Sequence, residues 1–317
     1  MPSSIHGLRI AMIRDDGTHP DMTTADVSWR DQRVLRLSTT GALPGAAVAI
    51  ERDGTTWIEQ AFAAVDGSPI CRFLISGDGR RVLSDSLPDL HRNDRDNLFV
   101  EPVMRTILSR MGLVSFHAAA LVKQGAAVLI MGRKGAGKSS LAGALYQIGW
   151  QPLADDLVRM IDGDGCWHAA AGGTVPRVNA DTARALGFDP GALLTRWSIP
   201  GVAGNKFLLP AGVFGPPPSE APIRAVLLLD TRDPALGSPR CDRAKGADAL
   251  RGLVANLTPD PLALAALPSR EAMRVVGGLL RQAAVYRFGL PDRLDALGAA
   301  AAAVDACLAR EGAPIAA

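Results

Sequence analysis

The sequence predicts an α/β protein with two domains: a smaller β-rich domain over residues 1–105 and a larger α/β domain over residues 106–317. The chain has 317 residues and is 48% apolar, which is enough for more than one hydrophobic core. Turn-forming Asp-Gly pairs separate strand-like runs in the first hundred residues. From Ser115 onward, strand-like and helical patterns alternate, which is typical of a mostly parallel sheet covered by helices.

Two hairpins are predicted in the β-rich domain, because Asp53-Gly54 and Asp78-Gly79 each lie between two strand-like runs. The four runs cover residues 46–50, 55–58, 72–76 and 81–84. The charged stretch 91–96 is predicted to be a solvated loop. Pro102 is predicted to begin a helix that ends at Gly112 and has an apolar face. That face consists of Val103, Ile107 and Met111.

The larger domain is predicted to alternate strands and helices. Its strands are expected over residues 115–122, 126–131, 153–161, 225–230 and 284–288. Its helices are expected to begin at Lys138, Asn179, Ser269 and Asp292. Asn179 is a suitable N-cap and Gly187 a suitable terminator for the second helix. The irregular, proline- and glycine-rich segment from the 190s to the 220s is either a loop that covers a site or a surface linker.

The clearest motif is GRKGAGKS at Gly132–Ser139, which matches GxxxxGK[ST] between a strand-like run and a helical pattern. Backbone N–H groups of such a loop bind the phosphates of a nucleotide such as ATP, and Lys138 reaches the outer phosphates. Ser139 offers its hydroxyl to Mg²⁺. Arg133 and Lys134 either add positive potential or point into solvent. The predicted nucleotide-binding residues of the loop are Gly132, Arg133, Lys134, Gly135, Ala136, Gly137, Lys138, Ser139 and Ser140.

A phosphate-binding loop usually works with an acidic residue at the end of a neighbouring strand, and the sequence offers two candidates. Asp230 follows the apolar run 225–229, whereas Asp155 and Asp156 lie inside the run 152–158. Two adjacent acids in an apolar strand are costly to bury without a cation or hydrogen-bond donors, which favours a functional role for this pair. Neighbouring strand residues point to opposite faces, so we expect one of the two to meet metal and substrate while the other is held by nearby groups.

His117 lies in the strand-like run that precedes the loop-bearing strand. A histidine among apolar residues is often a satisfied core residue. Here a short turn at 123–125 joins the two strands, which brings His117 to the end of the sheet that carries the phosphate-binding loop. We therefore interpret it as a site residue.

These motifs occur in a specific order: a histidine strand, the phosphate-binding loop, a helix, and Ala-Asp-Asp on the next strand. Over residues 115–158 this order resembles the catalytic domain of the HPr kinase/phosphorylase superfamily, whose nucleotide site is related to that of phosphoenolpyruvate carboxykinases. The chain is most similar to stand-alone homologues encoded beside peptide-modification genes, including lasso-peptide kinases that phosphorylate a serine of a precursor peptide. The resemblance implies an HPr-kinase-like fold with ATP and Mg²⁺. It also implies that Asp155 accepts the proton of the attacking hydroxyl, and that Asp156 and His117 orient that hydroxyl or the metal.

One segment departs from the superfamily pattern. The bifunctional enzymes carry a glutamate-containing signature after the paired acids, whereas residues 171–179 here contain no carboxylate. We therefore expect a kinase without the reverse activity, and the second metal ligand is unassigned. Arg177 and Lys206 are candidates for further cations at the phosphates, and each is otherwise an ordinary surface charge.

The overall charge argues against large anionic partners. With 34 basic and 32 acidic residues the formal net charge is +2, so neither nucleic acid nor a membrane surface is expected as a partner. The four cysteines form no CxxC pair and are expected to be reduced, and the N-terminus lacks a signal pattern, which favours the cytoplasm. A homo-oligomer is compatible with the sequence.

Three functions are compatible with these patterns. The first is an ATP-dependent kinase that acts on a serine of a peptide or small protein. The second is a kinase of a small hydroxylated molecule such as a sugar or hydroxy acid, and the third is a non-catalytic ATP-binding regulatory protein. The paired acids and His117 favour chemistry, because binding alone needs only the loop and one metal ligand. The β-rich domain either docks a leader peptide at a strand edge or only stabilises the chain.

Overall fold

The computed structural model describes residues 4–13, 25–32, 47–52, 54–64, 67–87, 90–163, 165–172, 176–195, 206–210, 218–258, 262 and 268–310. Apart from Leu262, the described residues up to Val114 form one compact unit and those from Ser115 onward form a second. The chain is a mixed α/β protein with several sheets. Most of the irregular segment predicted between the 190s and the 220s lies outside the described residues, and so does Asp53.

The first unit contains a seven-stranded sheet in the order β1-β2-β3-β7-β6-β5-β4. Its strands are β1 (Ser4–Ile5), β2 (Leu8–Ile13), β3 (Val27–Gln32), β4 (Ala47–Arg52), β5 (Thr55–Ala63), β6 (Pro69–Ser76) and β7 (Arg81–Ser86). Both predicted hairpins are confirmed, because β4 pairs with β5 and β6 pairs with β7 in antiparallel register. Gly54 and Gly79 have φ values of +69° and +76°, which a residue with a side chain adopts only with strain.

The predicted solvated loop at 91–96 is wrong, since Arg92–Leu98 forms helix α1. Asp94 and Arg95 are only 1% and 4% exposed. The guanidinium group of Arg95 lies 5.0 Å from the ring centroid of Trp29, in a cation–π contact, and its charge is balanced by Asp96. Part of a charged run is therefore buried here, which composition alone does not reveal.

The prediction that Pro102 begins a helix is wrong. Pro102 lies inside a π-helical turn, Phe99–Val103, that joins α1 to α2 (Met104–Arg110). A π turn accommodates a residue that has no N–H to donate. Gly112, with φ +71°, follows the end of α2 as expected. The apolar face is also present, with Val103 and Ile107 fully buried. The predicted domain boundary at 105/106 falls within α2.

The second unit contains a nine-stranded sheet whose main path is β11-β9-β10-β16-β13-β12-β8, with β18 paired to β16 and β17 paired to β18. Its strands are β8 (Ser115–Phe116), β9 (Ala118–Lys123), β10 (Ala126–Met131), β11 (Gln151–Ala154), β12 (Val158–Gly163), β13 (Cys166–Ala170), β16 (Glu220–Leu229), β17 (Arg240–Arg243) and β18 (Ala284–Gly289). A separate two-stranded ribbon consists of β14 (Arg177–Val178) and β15 (Phe207–Leu208).

The expected mostly parallel sheet is wrong. Among the described strands of this sheet, only the pairs β10–β16 and β16–β18 are parallel, whereas β9–β10, β9–β11 and β13–β16 are antiparallel. The short turn at Gln124 and Gly125, both at positive φ, joins β9 to β10 as a hairpin and leaves no room for a crossover helix. The phosphate-binding loop nevertheless follows a central, fully buried strand.

The helices of the second unit are α3 (Lys138–Gln147), α4 (Ala180–Ala185), α5 (Gly246–Ala255), α6 (Arg270–Gln282) and α7 (Leu297–Arg310). The starts of α3, α4 and α6 are confirmed, and the side chains of Asn179 and Ser269 cap α4 and α6. The last helix was expected from Asp292 but begins at Leu297, after a single 3₁₀ turn over Leu294–Ala296. In the second unit, the elements that were not predicted are α5, β13, β14, β15 and β17.

The core of the second unit lies between the sheet and helices α3 and α7, with Leu141, Leu145, Ala301 and Val304 in its centre. Cys241 of β17 and Cys307 of α7, 66 residues apart in sequence, form a disulfide. The expectation of four reduced thiols is therefore wrong for this pair, whereas Cys71 and Cys166 are free. No helix in the described part of the chain has the length and apolar character needed to span a membrane.

Candidate active site

The predicted phosphate-binding loop connects the carboxyl end of β10 to the start of α3. Gly137, at φ +103°, lies directly before the first helical residue, so the loop can turn sharply into the helix. The side chain of Lys138 folds back over the loop, and its Nζ donates to the carbonyl oxygen of Gly132 at 2.6 Å. Arg133 and Lys134 are exposed. The lysine amine is thus held over the concave face in which a phosphate would lie.

Electrostatics link Lys138 to both acids. Burial holds the pKa of Lys138 below its ordinary value, while the carboxylates of Asp156 and Asp155 act in the opposite direction and the ammonium group of Lys206 adds to the lowering. A partly buried cation with two carboxylates in range is a common arrangement at catalytic sites. The structure therefore brings the predicted lysine and the predicted acids into one cluster.

The β14–β15 ribbon brings two cations to the same cluster. Arg177 opens β14 and Lys206 directly precedes β15, and the two strands pair in antiparallel register. Nε of Arg177 donates to Oδ2 of Asp155 at 3.1 Å, and Nζ of Lys206 donates to Oγ of Ser139 at 3.1 Å. Ser139, Asp155 and Arg177 also line one small pocket.

The predicted position of Asp155 and Asp156 inside a strand is wrong. Both residues lie in the connection between β11 and β12. Asp156 has φ +68°, a conformation that aspartate tolerates better than most residues. Because the backbone turns here, the two carboxylates still diverge. Asp155 contacts Arg177, with only 13% and 9% of the two side chains exposed, whereas Asp156 contacts His117.

His117 lies at a break between β8 and β9, not inside a continuous strand. Its Nδ1 is 3.2 Å from Oδ1 of Asp156 and 3.1 Å from the carbonyl oxygen of the same residue. The backbone N–H of His117 donates to the carbonyl oxygen of Asn256 at 2.8 Å. The histidine is thus fixed on one side by the chain that follows α5 and faces Asp156 on the other.

Asn256 is a residue of the site that sequence reasoning missed. Its side-chain Oδ1 accepts from the backbone N–H of Gly132 at 3.0 Å, and its Nδ2 donates to the carbonyl oxygen of Gly252 at 2.8 Å. Gly252 leaves no room for a side chain against Leu228, which lets the end of α5 approach the sheet closely. Asn256 thereby ties the first residue of the loop to the segment that holds His117. No motif in the sequence marks it.

Arg232, also missed, follows β16 and reaches the start of α3. Its Nη2 donates to Oγ of Ser140 at 3.2 Å, and Ser140 is further held by Thr182. The only available signal was its place after a strand expected to neighbour the loop strand.

Asp230, the alternative acid, forms an ion pair with Arg287 at 2.7 Å. Both line a cavity of about 300 Å³ whose wall also includes His117, Gly132 and Asn256. Asp230 therefore lies near the first residue of the loop, on the side of β16, and its charge is balanced by arginine. The structure brings Asp155 and Asp156, not Asp230, to the electrostatic neighbourhood of Lys138.

Two of the predicted site residues carry the kind of donor atom that Mg²⁺ prefers. Ser139 and Asp156 offer a hydroxyl and a carboxylate, the hard oxygen donors that Mg²⁺ takes from proteins. Among the described residues no group of three or more His, Cys, Asp and Glu side chains could hold a metal by itself. Magnesium is usually bound through one or two protein oxygens plus substrate phosphates and water, so two donors suffice.

Comparison with solved structures gives distant structural likenesses. The chain matches no protein-family model and no curated protein. It is similar to the HPr(Ser) kinase/phosphatase from Coxiella burnetii, with 15% identity and a TM-score of 0.30, over 62% of this chain and 99% of that chain. A likeness this distant carries no inference about the reaction of this chain.

Proposed function

We propose that the protein is an ATP-dependent kinase that transfers the terminal phosphoryl group of ATP to a serine hydroxyl of a peptide or small protein. The observation that carries this proposal is the single cluster formed by Lys138, Asp155, Asp156 and His117 beside a phosphate-binding loop. A protein that only binds a nucleotide needs the loop and one metal ligand. A second, buried carboxylate with its own arginine is more than binding requires.

Each residue has a separate part in the proposed reaction. The loop amides and Lys138 hold the phosphates, and Ser139 and Asp156 would hold Mg²⁺, which neutralises phosphate charge when bound. The serine oxygen attacks the γ-phosphorus, the bond from that phosphorus to the β,γ-bridging oxygen breaks, and ADP leaves. The serine proton passes to the carboxylate of Asp155.

Arg177 and His117 position the two acids. Nε of Arg177 donates to Oδ2 of Asp155, so Arg177 holds the carboxylate of the proposed base in a fixed orientation. His117 fixes the orientation of Asp156 through its Nδ1. Lys206, at the hydroxyl of Ser139, adds positive charge where the phosphates would lie.

The acceptor class follows from the order of the motifs along residues 115–158. This order resembles that of enzymes that phosphorylate a serine of a protein, and within them that of enzymes that act on ribosomal precursor peptides such as lasso-peptide precursors. We propose a kinase without the reverse activity, because residues 171–179 contain no carboxylate. Residues 173–175 of this segment lie outside the described residues.

The test is incubation of the full chain with Mg-ATP and the peptides encoded beside its gene, followed by mass measurement and mapping of the modified residue. We expect a gain of one or more phosphates on a serine. Asp155→Asn should lower the transfer rate by about 10²–10⁴-fold, the usual contribution of a general base, and leave ATP affinity within a few-fold. Asp162→Asn is the matched control, since this exposed acid on β12 pairs with Arg274 and should leave the rate unchanged.

Two results would contradict the proposal. Transfer at the parental rate by Asp155→Asn would remove that residue as the base. ATP binding without transfer to any peptide, with no consumption of ATP, would instead favour a regulatory ATP-binding protein. Phosphorylation of a sugar or hydroxy acid in preference to peptides would favour the small-molecule kinase.

A further inference from the structure

Arg232 lies where two neighbouring parallel strands end. The strands β10 and β16 pair from Ala127 to Met131, so the chain after β16 emerges beside the phosphate-binding loop after β10. Arg232 is the third residue after β16. Its side chain is 24% exposed and extends toward the start of α3. Topology, not sequence proximity, brings this arginine to residues that precede it by more than ninety positions.

The guanidinium group covers the part of the loop that turns into α3. A Cβ atom built on Gly137 would lie 3.1 Å from Nη2 and 3.2 Å from Nε of Arg232. Nη2 donates to Oγ of Ser140 at 3.2 Å, and Nη1 lies 3.7 Å from Oδ1 of Asp292. The group is therefore held at both ends, by a hydroxyl of α3 and by a carboxylate in the segment after β18. Its position requires a glycine at 137.

Between these two anchors, one donor has no acceptor. Nε of Arg232 is buried and makes no hydrogen bond to any described residue. A buried guanidinium N–H without an acceptor costs free energy, because it has lost its water without gaining a partner. Arginine is also the side chain best suited to bind phosphate oxygens through several N–H groups at once. An orphaned donor beside a phosphate-binding loop indicates a ligand oxygen.

We propose that Arg232 binds an oxygen of an inner phosphate of the nucleotide, at the end of the loop that turns into α3. Lys138 extends toward Gly132, which is the direction of the outer phosphates, while Arg232 lies over Gly137 and Ser140 at the start of the helix. Arg232 thus contributes to the affinity for diphosphates and triphosphates and leaves proton transfer to Asp155. The inference rests on the nucleotide site of the proposed function, not on the acceptor.

The test compares ADP and inorganic tripolyphosphate as ligands, with affinities measured by calorimetry on the full chain. Because a hydrogen bond to a charged group is worth about 1.5–3 kcal/mol, Arg232→Gln should weaken both ligands by roughly 10- to 100-fold. Arg232→Lys should restore part of the loss, since it keeps the charge but not the planar group. Arg293→Gln is the control, since this exposed arginine pairs with Asp295 and should bind both ligands as the parent does.

Unchanged affinity of Arg232→Gln for ADP would overturn the inference while leaving a nucleotide site. A loss for ADP with no loss for tripolyphosphate would also overturn it, because the contact would then be to the nucleoside. If the parent protein binds neither ligand, both this inference and the proposed function fail.

A measurement on the parent protein does not depend on whether the variants fold. The Nε–H signal of Arg232 in a nitrogen-15 spectrum should move downfield when ADP or tripolyphosphate is added, because the donor gains an acceptor. A signal that stays in place at saturating ligand would overturn the proposal.

Discussion

The amine of Lys138 responds to pH in a way that tests the phosphate-binding loop. Burial lowers the pKa of Lys138 from its ordinary value, and a bound polyphosphate should raise it again. Binding above the lowered pKa must therefore take up a proton. As the pH rises through this pKa, we expect ATP affinity to fall by up to about tenfold per pH unit. The fall begins below pH 10.5, the ordinary pKa of the group.

Lys138→Arg separates this effect from other titrations. Its guanidinium group stays charged throughout the range, so its affinity, although lower overall, should not show the same slope. Calorimetry in two buffers of different ionisation enthalpy measures the proton uptake directly. Equal slopes for parent and variant would assign the pH dependence to a different group. Because the pKa of Lys138 is lower in the folded chain, its titration makes the unliganded fold slightly more stable as the pH rises toward 10.5. The titration of Lys138 therefore does not lower ATP affinity by unfolding the chain.

At the same scale, the residues of the site differ in how far the sequence could predict them. The loop residues and Lys138 could be found because their function depends on a contiguous segment. The role of the β14–β15 ribbon could not, although Arg177 and Lys206 were candidates by charge. Arg232 and Asn256 carry no local pattern, because strand pairing and a close helix contact bring them to the loop.

Helix α5 contributes to the site through the residue that follows it. Asn256 accepts the N–H of Gly132 and presents its carbonyl oxygen to the N–H of His117. Asn256→Leu keeps the size of the side chain but leaves the Gly132 N–H without its acceptor, a loss of about 1–3 kcal/mol. We expect weaker ATP binding and slower transfer together, measured as nucleotide affinity and single-turnover rate.

Asn256→Asp separates the two bonds of this side chain. It keeps an oxygen for Gly132 and loses the donor to Gly252, so without nucleotide the Gly132 N–H should stay protected from hydrogen exchange in this variant and lose protection in the leucine variant. The backbone contact to His117 is common to both variants. Equal protection of the Gly132 N–H in the two variants would mean that its bond to the side chain of residue 256 is not the important one.

The disulfide joins an edge strand, β17, to the last helix, α7, and closes a loop of 66 residues. In the chain-entropy model a loop of this size stabilises the fold by about 4 kcal/mol. Cys307→Ser should therefore lower the midpoint of denaturant unfolding, and reduction of the parent should have the same effect. Cys166→Ser, which removes a free thiol, is the control. Four reactive thiols in the unreduced, unfolded parent would contradict the pairing.

The elements also show where pattern reading ends. β10 was predicted with both bounds and α3 with its first residue, because a fully buried strand and a glycine-terminated loop are local signals. Residues 153–161 were predicted to form one strand. They belong to two strands, because Asp156 turns the chain at positive φ. Strand direction was also mispredicted, since hairpin and crossover connections are not distinguished by apolar periodicity.

At the scale of the whole molecule, the candidate site lies within the second unit. That unit contains the loop, both acids, His117, the two ribbon cations, Asn256 and Arg232. The formal net charge of +2 provides no strong long-range field for anions, so nucleotide affinity must come from these local contacts. A ligand that binds only the native state raises the free energy of unfolding by mass action. The stability of the second unit should therefore depend on nucleotide.

Mg-ATP at one hundred times its dissociation constant should add about 2.7 kcal/mol to the free energy of unfolding of the second unit. Hydrogen exchange on the full chain measures the change in stability of each unit separately. Slower exchange is expected in β10 and α3, which flank the loop. Lys138→Ala should abolish the gain at the same ATP concentration, because its affinity for the phosphates is lost. Equal protection by ATP in the parent and in this variant would mean that the nucleotide binds elsewhere. Because the exchange rate with ATP is compared with the rate without ATP in the same protein, a general loss of stability in the variant does not affect the result.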